Sequence, residues 1–344
     1  MQFMPRVYLL LLMCFVACFS IVLGDPSLST SSSLPTADTL QKLVMDAHDK
    51  FKGVTVGKNA DYIPYLAKVD PNLFGVAIVT ADGQTYTAGD TDYPFAIESI
   101  SKLFTLALVM EDHGEEAVLE RIGVEPTGMP FNSIAAVKRH QSAENPLVNA
   151  GAIAAVSLVK ATSKEERWDR IRRAYNKFAG TQLQFNREVY ASEAMTNQRN
   201  RSIAKLLFGY GLLYADPLDT VDVYTRQCSI NVTTAQLALM GATLAKGGVH
   251  PVTEERAVEA KFVPKILAVM MMAGSYDEVG IWAWNTGLPV KTGVGGGILA
   301  VVPGKLAIAA FSPPLNEHGT SVRAAQAIQY ISEQLGLSLF ATSR

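Results

Sequence analysis

The first apolar pattern along the chain is continuous. Arg6 is followed by Val7 to Leu23, broken only by Ser20, and the run closes at Val22-Leu23-Gly24 before Asp25-Pro26. A basic residue, an apolar run and a small-residue end describe a secretory signal peptide over residues 1–24. Two readings compete with it. An uncleaved membrane anchor is one, because the run is nearly long enough to span; lipidation at Cys18 is the other, against which the apolar residues after Cys18 count. Residues 25–37 hold the Ser/Thr-rich stretch Ser27 to Pro35 and read as a flexible linker. The folded domain is then 38–344.

Within that domain the periods alternate. Leu40, Leu43, Val44 and Ala47 recur at helical spacing over Leu40 to Phe51. Phe74 to Val79 is a strand candidate, and Asp82-Gly83 signals a hairpin that returns over Gln84 to Ala88. A mostly helical middle runs from Ser99 to about Leu244, with Trp168, Ile171, Tyr175 and Phe178 on one face and Lys and Arg on the other. Thr233 and Thr234 open a helix that Gly247-Gly248 ends. Gly297 to Val302 and Leu306 to Phe311, split by Pro303-Gly304-Lys305, read as a buried hairpin. Thr320 and Ser321 then start a last helix, expected to turn Val322, Ala325, Ile328, Ile331 and Leu335 inward and to stop at Gly336. Strands at both ends around a helical insertion predict an α/β (α+β) fold with an antiparallel sheet flanked by helices.

Composition narrows the function little. The 344 residues are 49% hydrophobic and 18% charged, with a formal net charge of −2 and no long charged run, so nothing calls for nucleic acid. Removal of the leader would leave Cys228 as the one cysteine of three, which forbids an internal disulfide and reads best as a buried thiol. The five histidines, His48, His113, His140, His250 and His318, lack metal-site spacing, so neither metal nor cofactor is expected.

The chemistry starts with a lysine in an apolar helix. After Ser99-Ile100-Ser101-Lys102 come Leu103, Phe104, Leu106, Ala107, Leu108, Val109 and Met110, apolar around nearly the whole circumference. Burial lowers an ammonium's pKa, from about 10.4 towards roughly 7–8 for a base working near neutrality. Ser99 lies three residues before Lys102, and a hydroxyl beside a neutral amine is a nucleophile with its base. Ser101, the rival nucleophile, points off that face. Taken alone, the pair also fits a capping serine and a snorkelling lysine. Lys291-Thr292-Gly293 before the glycine-rich Val294-Gly295-Gly296-Gly297 raises its meaning. This order of serine-x-x-lysine and lysine-threonine-glycine is that of penicillin-binding proteins and class A β-lactamases. A phosphate-binding loop is excluded, because no lysine follows the glycines and strands follow instead of a helix. Lys291 is expected to add positive charge near Lys102.

Several blocks in order resemble the serine-dependent glutaminases: Gly57 to Pro64, Phe95 to Lys102, Asn145 to Ile153, Ser192-Glu193, Cys228-Ser229-Ile230 and Lys291 to Val294. The resemblance implies a β-lactamase/transpeptidase-like fold over the catalytic domain 38–344 and hydrolysis of L-glutamine without a cofactor. It implies Ser99 as nucleophile, Lys102 as base and Tyr62 and Tyr276 as active-site tyrosines. By the same resemblance Ser99, Asn149, Glu193, Asn200, Tyr224, Tyr276 and Val294 hold the substrate, and the chain forms homodimers or homotetramers. Glu193 suits the α-ammonium, while Asn149 and Asn200 suit the polar ends. Asn200-Arg201-Ser202 and Asn231-Val232-Thr233 are formally glycosylation sequons. Thr320 stands where similar sequences commonly carry Asn and is expected to touch no functional group. A β-lactam or peptidoglycan substrate is disfavoured, because no motif with a central substrate Asn is evident. A penicillin-recognising serine hydrolase and a non-catalytic exported glutamine-binding protein are the alternatives.

Overall fold

Leu40, Leu43, Val44 and Ala47 form the buried stripe of the first helix, α1 (Ala37–Phe51), which Thr36 caps by accepting from the Thr39 amide. The computed structural model describes residues 34–341. The expected leader, and the expected linker as far as residue 33, lie outside the described residues.

The strands are β1 (Gly75–Thr80), β2 (Thr85–Gly89), β3 (Phe95–Ala96), β4 (Gln184–Phe185), β5 (Ile230–Val232), β6 (Val290–Thr292), β7 (Gly297–Val302) and β8 (Leu306–Phe311). Five of them make one antiparallel sheet in the order β2-β1-β8-β7-β6. Its strands come from both ends of the chain, as the order of elements predicts. The remaining helices are α2 (Ser101–His113), α3 (Glu115–Arg121), α4 (Ile134–His140), α5 (Asn149–Leu158), α6 (Lys164–Ala179), α7 (Arg187–Thr196), α8 (Gln198–Gly209), α9 (Pro217–Cys228), α10 (Thr234–Ala245), α11 (Val263–Ala273), α12 (Val279–Thr286) and α13 (Val322–Leu335).

β1, β7 and β8 are buried at every residue, which is why they read as continuous apolar runs. Both faces of the sheet are covered. Ala77, Val79, Leu299, Val301, Ala307 and Ala309 share a core with Leu237, Ala238 and Met240 of α10. The alternate residues Val76, Ile78, Ala300, Ile308 and Ala310 are buried on the side that meets α1 and α13. Each such branched side chain contributes about 1.5–3 kcal/mol on burial. Gly241 lets α10 lie close to the sheet, because a Cβ there would sit 2.5 Å from Leu299 Cδ1 and 2.7 Å from the Ala307 Cβ. Thr233 forms a capping box with Gln236 at the start of α10.

Two expectations need correction. The buried face of α13 is Arg323, Ala324, Ala327, Ile328, Ile331 and Ser332, whereas Val322, Ala325 and Leu335 are only half-buried. Arg323 causes the rotation: its guanidinium reaches inward to the Pro71 and Leu73 carbonyls and the Ser312 hydroxyl. A charged residue satisfied by buried carbonyls breaks an argument based on apolar periodicity. The helical middle also contains a second sheet, in the order β3-β5-β4, whose two- and three-residue strands are too short to show a period.

Candidate active site

The small sheet sets the entry to α2. The Ile97 amide donates to the Ile230 carbonyl at 2.8 Å, extending the β3–β5 pairing. The chain must then reverse sharply, and it does so at Glu98, a non-glycine residue at φ 50°. Glu98, Ser99 and Ile100 form a 3₁₀ turn, and α2 begins only at Ser101. The spacing predicts that Ser99 and Lys102 share one α-helical face; instead the serine sits in the tighter turn that feeds the helix.

Lys102 is completely buried within α2, as its apolar neighbours require. Its Nζ donates to Asn149 Oδ1 at 2.6 Å and lies 5.4 Å and 6.0 Å from the ring centroids of Tyr276 and Tyr224. Loss of solvation pulls its pKa from 10.5 to about 7, against the opposing pull of the Cys228 thiol and the Glu98 and Glu193 carboxyls. The amine is therefore substantially neutral at physiological pH.

Ser99 opens onto a cleft of about 610 Å³ that runs out to solvent. Tyr62, Glu98, Asn149, Glu193, Asn200, Tyr224, Cys228 and Val294 also line it. Asn149, the first residue of α5, donates from Nδ2 to Asn200 Oδ1 on α8 at 2.9 Å, so Lys102, Asn149 and Asn200 form one chain of hydrogen bonds. Part of Asn149's capacity is thus spent on orienting the lysine. Glu193 on α7 is buried, and desolvation raises its pKa to about 7. Its neighbour Ser192 accepts from the Tyr65 amide at 3.0 Å and so fastens the loop bearing Tyr62 to α7. Tyr62 stands at the rim, 53% exposed. Among the described residues, the Val294 amide donates to no backbone carbonyl.

Lys291 and Tyr276 lie behind the cleft wall. Lys291 is fully buried; it donates to the Gly274 and Thr292 carbonyls at 2.8 Å each and sits 4.1 Å from the Tyr276 ring centroid. Burial, and then the charge of Lys102, pushes its pKa well down. Tyr276 is held at φ 59°, and its buried hydroxyl faces Ser99, whose hydrogen-bonding influence opposes the rise in pKa that burial causes. A buried hydroxyl at a strained position beside a nucleophile marks a functional group. Gly295 is forced by the same crowding: a Cβ there would lie 2.4 Å from the Ala96 carbonyl oxygen.

The structure brings Ser99, Lys102, Tyr276, Asn149, Glu193, Asn200, Tyr224 and Val294 together, with Tyr62 at the mouth. Ser101 is excluded: its hydroxyl lies in the core 3.9 Å from Cys228 Sγ. Cys228 is buried, as its context predicts, and burial pushes its thiol well up. The asparagines of both sequons are half-buried, Asn200 Oδ1 accepting from Asn149 and Asn231 Oδ1 from Asn186, so neither stands as a fully exposed acceptor. Thr320 touches none of the proposed site residues, as expected, but it braces the turn that carries one of them. Its hydroxyl donates to Glu278 at 2.5 Å, and Asn316 donates to the other oxygen at 2.8 Å; Glu278 belongs to the turn that carries Tyr276. Glu98 escaped the sequence reading, because its role depends on what lies across the cleft. Among the described residues, Glu98, Glu193 and Cys228 bring ligand-type atoms within 4.8 Å of one another. Burial drives all three towards their protonated forms, which makes the trio a poor seat for a cation.

The sheet with its flanking helices, and the serine turn feeding a buried lysine, place the chain among hydrolases of the β-lactamase-like fold. The glutaminase family profile matches residues 57–340, and the chain belongs to that family. A glutaminase from Mycobacterium ulcerans is 54% identical over 302 residues, spanning 88% of this chain and 94% of the relative. The solved probable glutaminase ybaS superposes with a TM-score of 0.88 at 52% identity, covering 90% of this chain and all of that one. A probable glutaminase from Bacillus subtilis, complexed with 6-diazo-5-oxo-L-norleucine, has a TM-score of 0.81 at 29% identity, over 91% of this chain and 100% of its own.

Proposed function

We propose that this glutaminase hydrolyses L-glutamine to L-glutamate and ammonia through an acyl-enzyme on Ser99. The observation that carries the reading is Lys102: buried, its pKa drawn down to about 7, tied by one N–H to Asn149 and one turn from Ser99. Its lone pair takes the Ser99 proton as Oγ attacks the side-chain amide carbon. The amides of Ser99 and Val294 receive the oxyanion. The C–N bond breaks as the departing nitrogen takes one proton, either from Lys102 directly or relayed through the Tyr276 hydroxyl, which Lys102 then reprotonates, and ammonia leaves. Water then attacks the glutamyl ester, its proton passes to Lys102 and on to Ser99 Oγ, and glutamate leaves.

Glu193 receives the substrate's α-ammonium, Asn149 and Asn200 its polar ends, Tyr224 its stem, and Tyr62 closes the rim. A site built from such polar groups rejects analogues that leave them unpaired. Ammonia release from L-glutamine by wild type and Ser99→Ala is the test. Release lost in the variant, with a glutamyl adduct found by mass spectrometry only in wild type, is expected; equal release from both would sink the mechanism. Tight glutamine binding with no ammonia from either protein would favour the non-catalytic binding protein instead.

The apolar run at residues 7–23 supports export after cleavage near Gly24. N-terminal sequencing of the mature chain from the secreted or periplasmic fraction tests this, and an intact leader in the cytoplasm would refute it. The family resemblance supports a homodimer or homotetramer, which sedimentation equilibrium decides.

A further inference from the structure

Glu98 has no part in the reaction just set out, yet it is the most constrained residue of the cleft. It occupies a left-handed conformation at φ 50°, which costs a side-chain-bearing residue energy, and it is 3% exposed. Its Oε1 has no hydrogen-bond partner, and neither does Oε1 of Glu193, itself 8% exposed. The two carboxyls face each other in the cluster that spans less than 4.8 Å. Two carboxylates cannot both stay ionised at that range in a buried site, and the group missing between them is a proton.

We propose that Glu98 is a positioning residue: a carboxylic acid kept neutral, whose O–H donates to the Glu193 carboxylate and so holds Glu193 ionised and aimed at the substrate's α-ammonium. The direction of sharing follows from the surroundings. Glu98 is driven well above the carboxylate range by burial and by the charge of Glu193, while burial raises Glu193 less, because the hydrogen bond from Glu98 pulls it back towards its ionised form. The other titratable groups facing the pair are Cys228, Tyr224 and Tyr276, held protonated by burial, and Tyr62 at the rim, raised by partial desolvation and the facing Glu98 and Glu193 carboxyls; none carries charge near neutrality. The left-handed turn that presents Ser99 to the cleft thus also presents the acid that organises the ammonium receptor.

The inference rests on the reading that Glu193 receives the ammonium, and the experiment separates the two. Glu98→Met, Glu98→Gln and Glu193→Gln are compared in the full chain by KM and kcat for L-glutamine across pH 5.5 to 9. Glu98→Met fills the volume but removes the donor; its KM is expected to rise about 10- to 100-fold with a smaller change in kcat, the range of a lost hydrogen bond to a charged group. Its acid limb in kcat/KM moves to higher pH, because Glu193 without its donor is harder to ionise. Glu98→Gln restores a donor, and its KM and acid limb return to within about threefold and a few tenths of a pH unit of wild type. A structural role alone would lower the yield of folded enzyme or kcat and leave the limb in place. Glu98→Gln as damaging as Glu98→Met overturns the inference, since a negative charge and not a donor is then required; an unmoved limb in Glu98→Met overturns it too. An unchanged KM in Glu193→Gln overturns the ammonium reading itself.

Discussion

Lys102 makes the active site expensive to fold, and replacing it with methionine measures how much. The side chain is fully buried and its pKa falls from 10.5 to about 7 on folding. Above pH 7 the folded chain leaves this amine neutral while the unfolded chain still binds its proton. Unfolding then takes up a proton, so stability rises with pH through the interval between the two pKa values, by about 1.4 kcal/mol per pH unit. From pH 7.5 to 9.5, wild type should gain about 2.5 kcal/mol from this group alone, and Lys102→Met should gain none of it. At pH 7.5 the variant is relieved of about 4 kcal/mol of ionisation cost, set against about 1–3 kcal/mol for leaving Asn149 Oδ1 without its donor. The variant is therefore expected to be the more stable protein at pH 7.5, by about 1–3 kcal/mol, with the advantage gone near pH 9.5. Its turnover should fall by about 10²–10⁴ as the general base is lost. Urea unfolding of both proteins at several pH values between 7.5 and 9.5 gives the difference directly, and above about pH 8 Lys102 is neutral in the folded state, so there its loss does not disturb the charge on its neighbours. A stability difference that stays constant across the window would refute the buried neutral amine, and with it the assignment of Lys102 as base.

Three further outcomes follow from the same geometry. The acid limb of kcat/KM should lie near pH 7 and be steeper than a single ionisation allows, because Lys102 and Glu193 must both be deprotonated and each titrates at about 7; a limb near pH 4.5 would contradict it. Tyr276→Phe removes a buried hydroxyl whose polar neighbour is the Ser99 side chain, so thermal unfolding should show stability changed by no more than about 1 kcal/mol, while kcat falls about 10- to 1000-fold; unaltered kcat would remove Tyr276 from proton transfer. Thr320→Val deletes the bond to Glu278 and should cost about 1–3 kcal/mol in urea unfolding while lowering kcat more than it raises KM, because it loosens the turn of Tyr276; unchanged kcat would confine Thr320 to a structural role.

Much of this protein was decided by local pattern. α1 with its four buried residues, the β7–β8 hairpin to the residue, the capped start of α10 and the all-round apolar α2 follow from periods of 3.6 and 2, or from turn residues that act on their immediate neighbours. A lysine inside α2 announced chemistry for the same reason, since no local structure could satisfy it. The gathering of Asn149, Glu193, Asn200 and Tyr224 around it was legible only through ordered motifs, because their separation along the chain carries no period. The tertiary structure alone decided the rest. The reversal at Glu98 exists because β3 is pinned to β5 across more than a hundred residues, and the Glu98–Glu193 pair exists because α7 packs opposite that turn. Arg323 turned its helix because carbonyls from a distant loop were there to receive it. Desolvation, shared protons and strain belong to surroundings assembled from remote segments, and a sequence pattern registers only what neighbours along the chain do to one another.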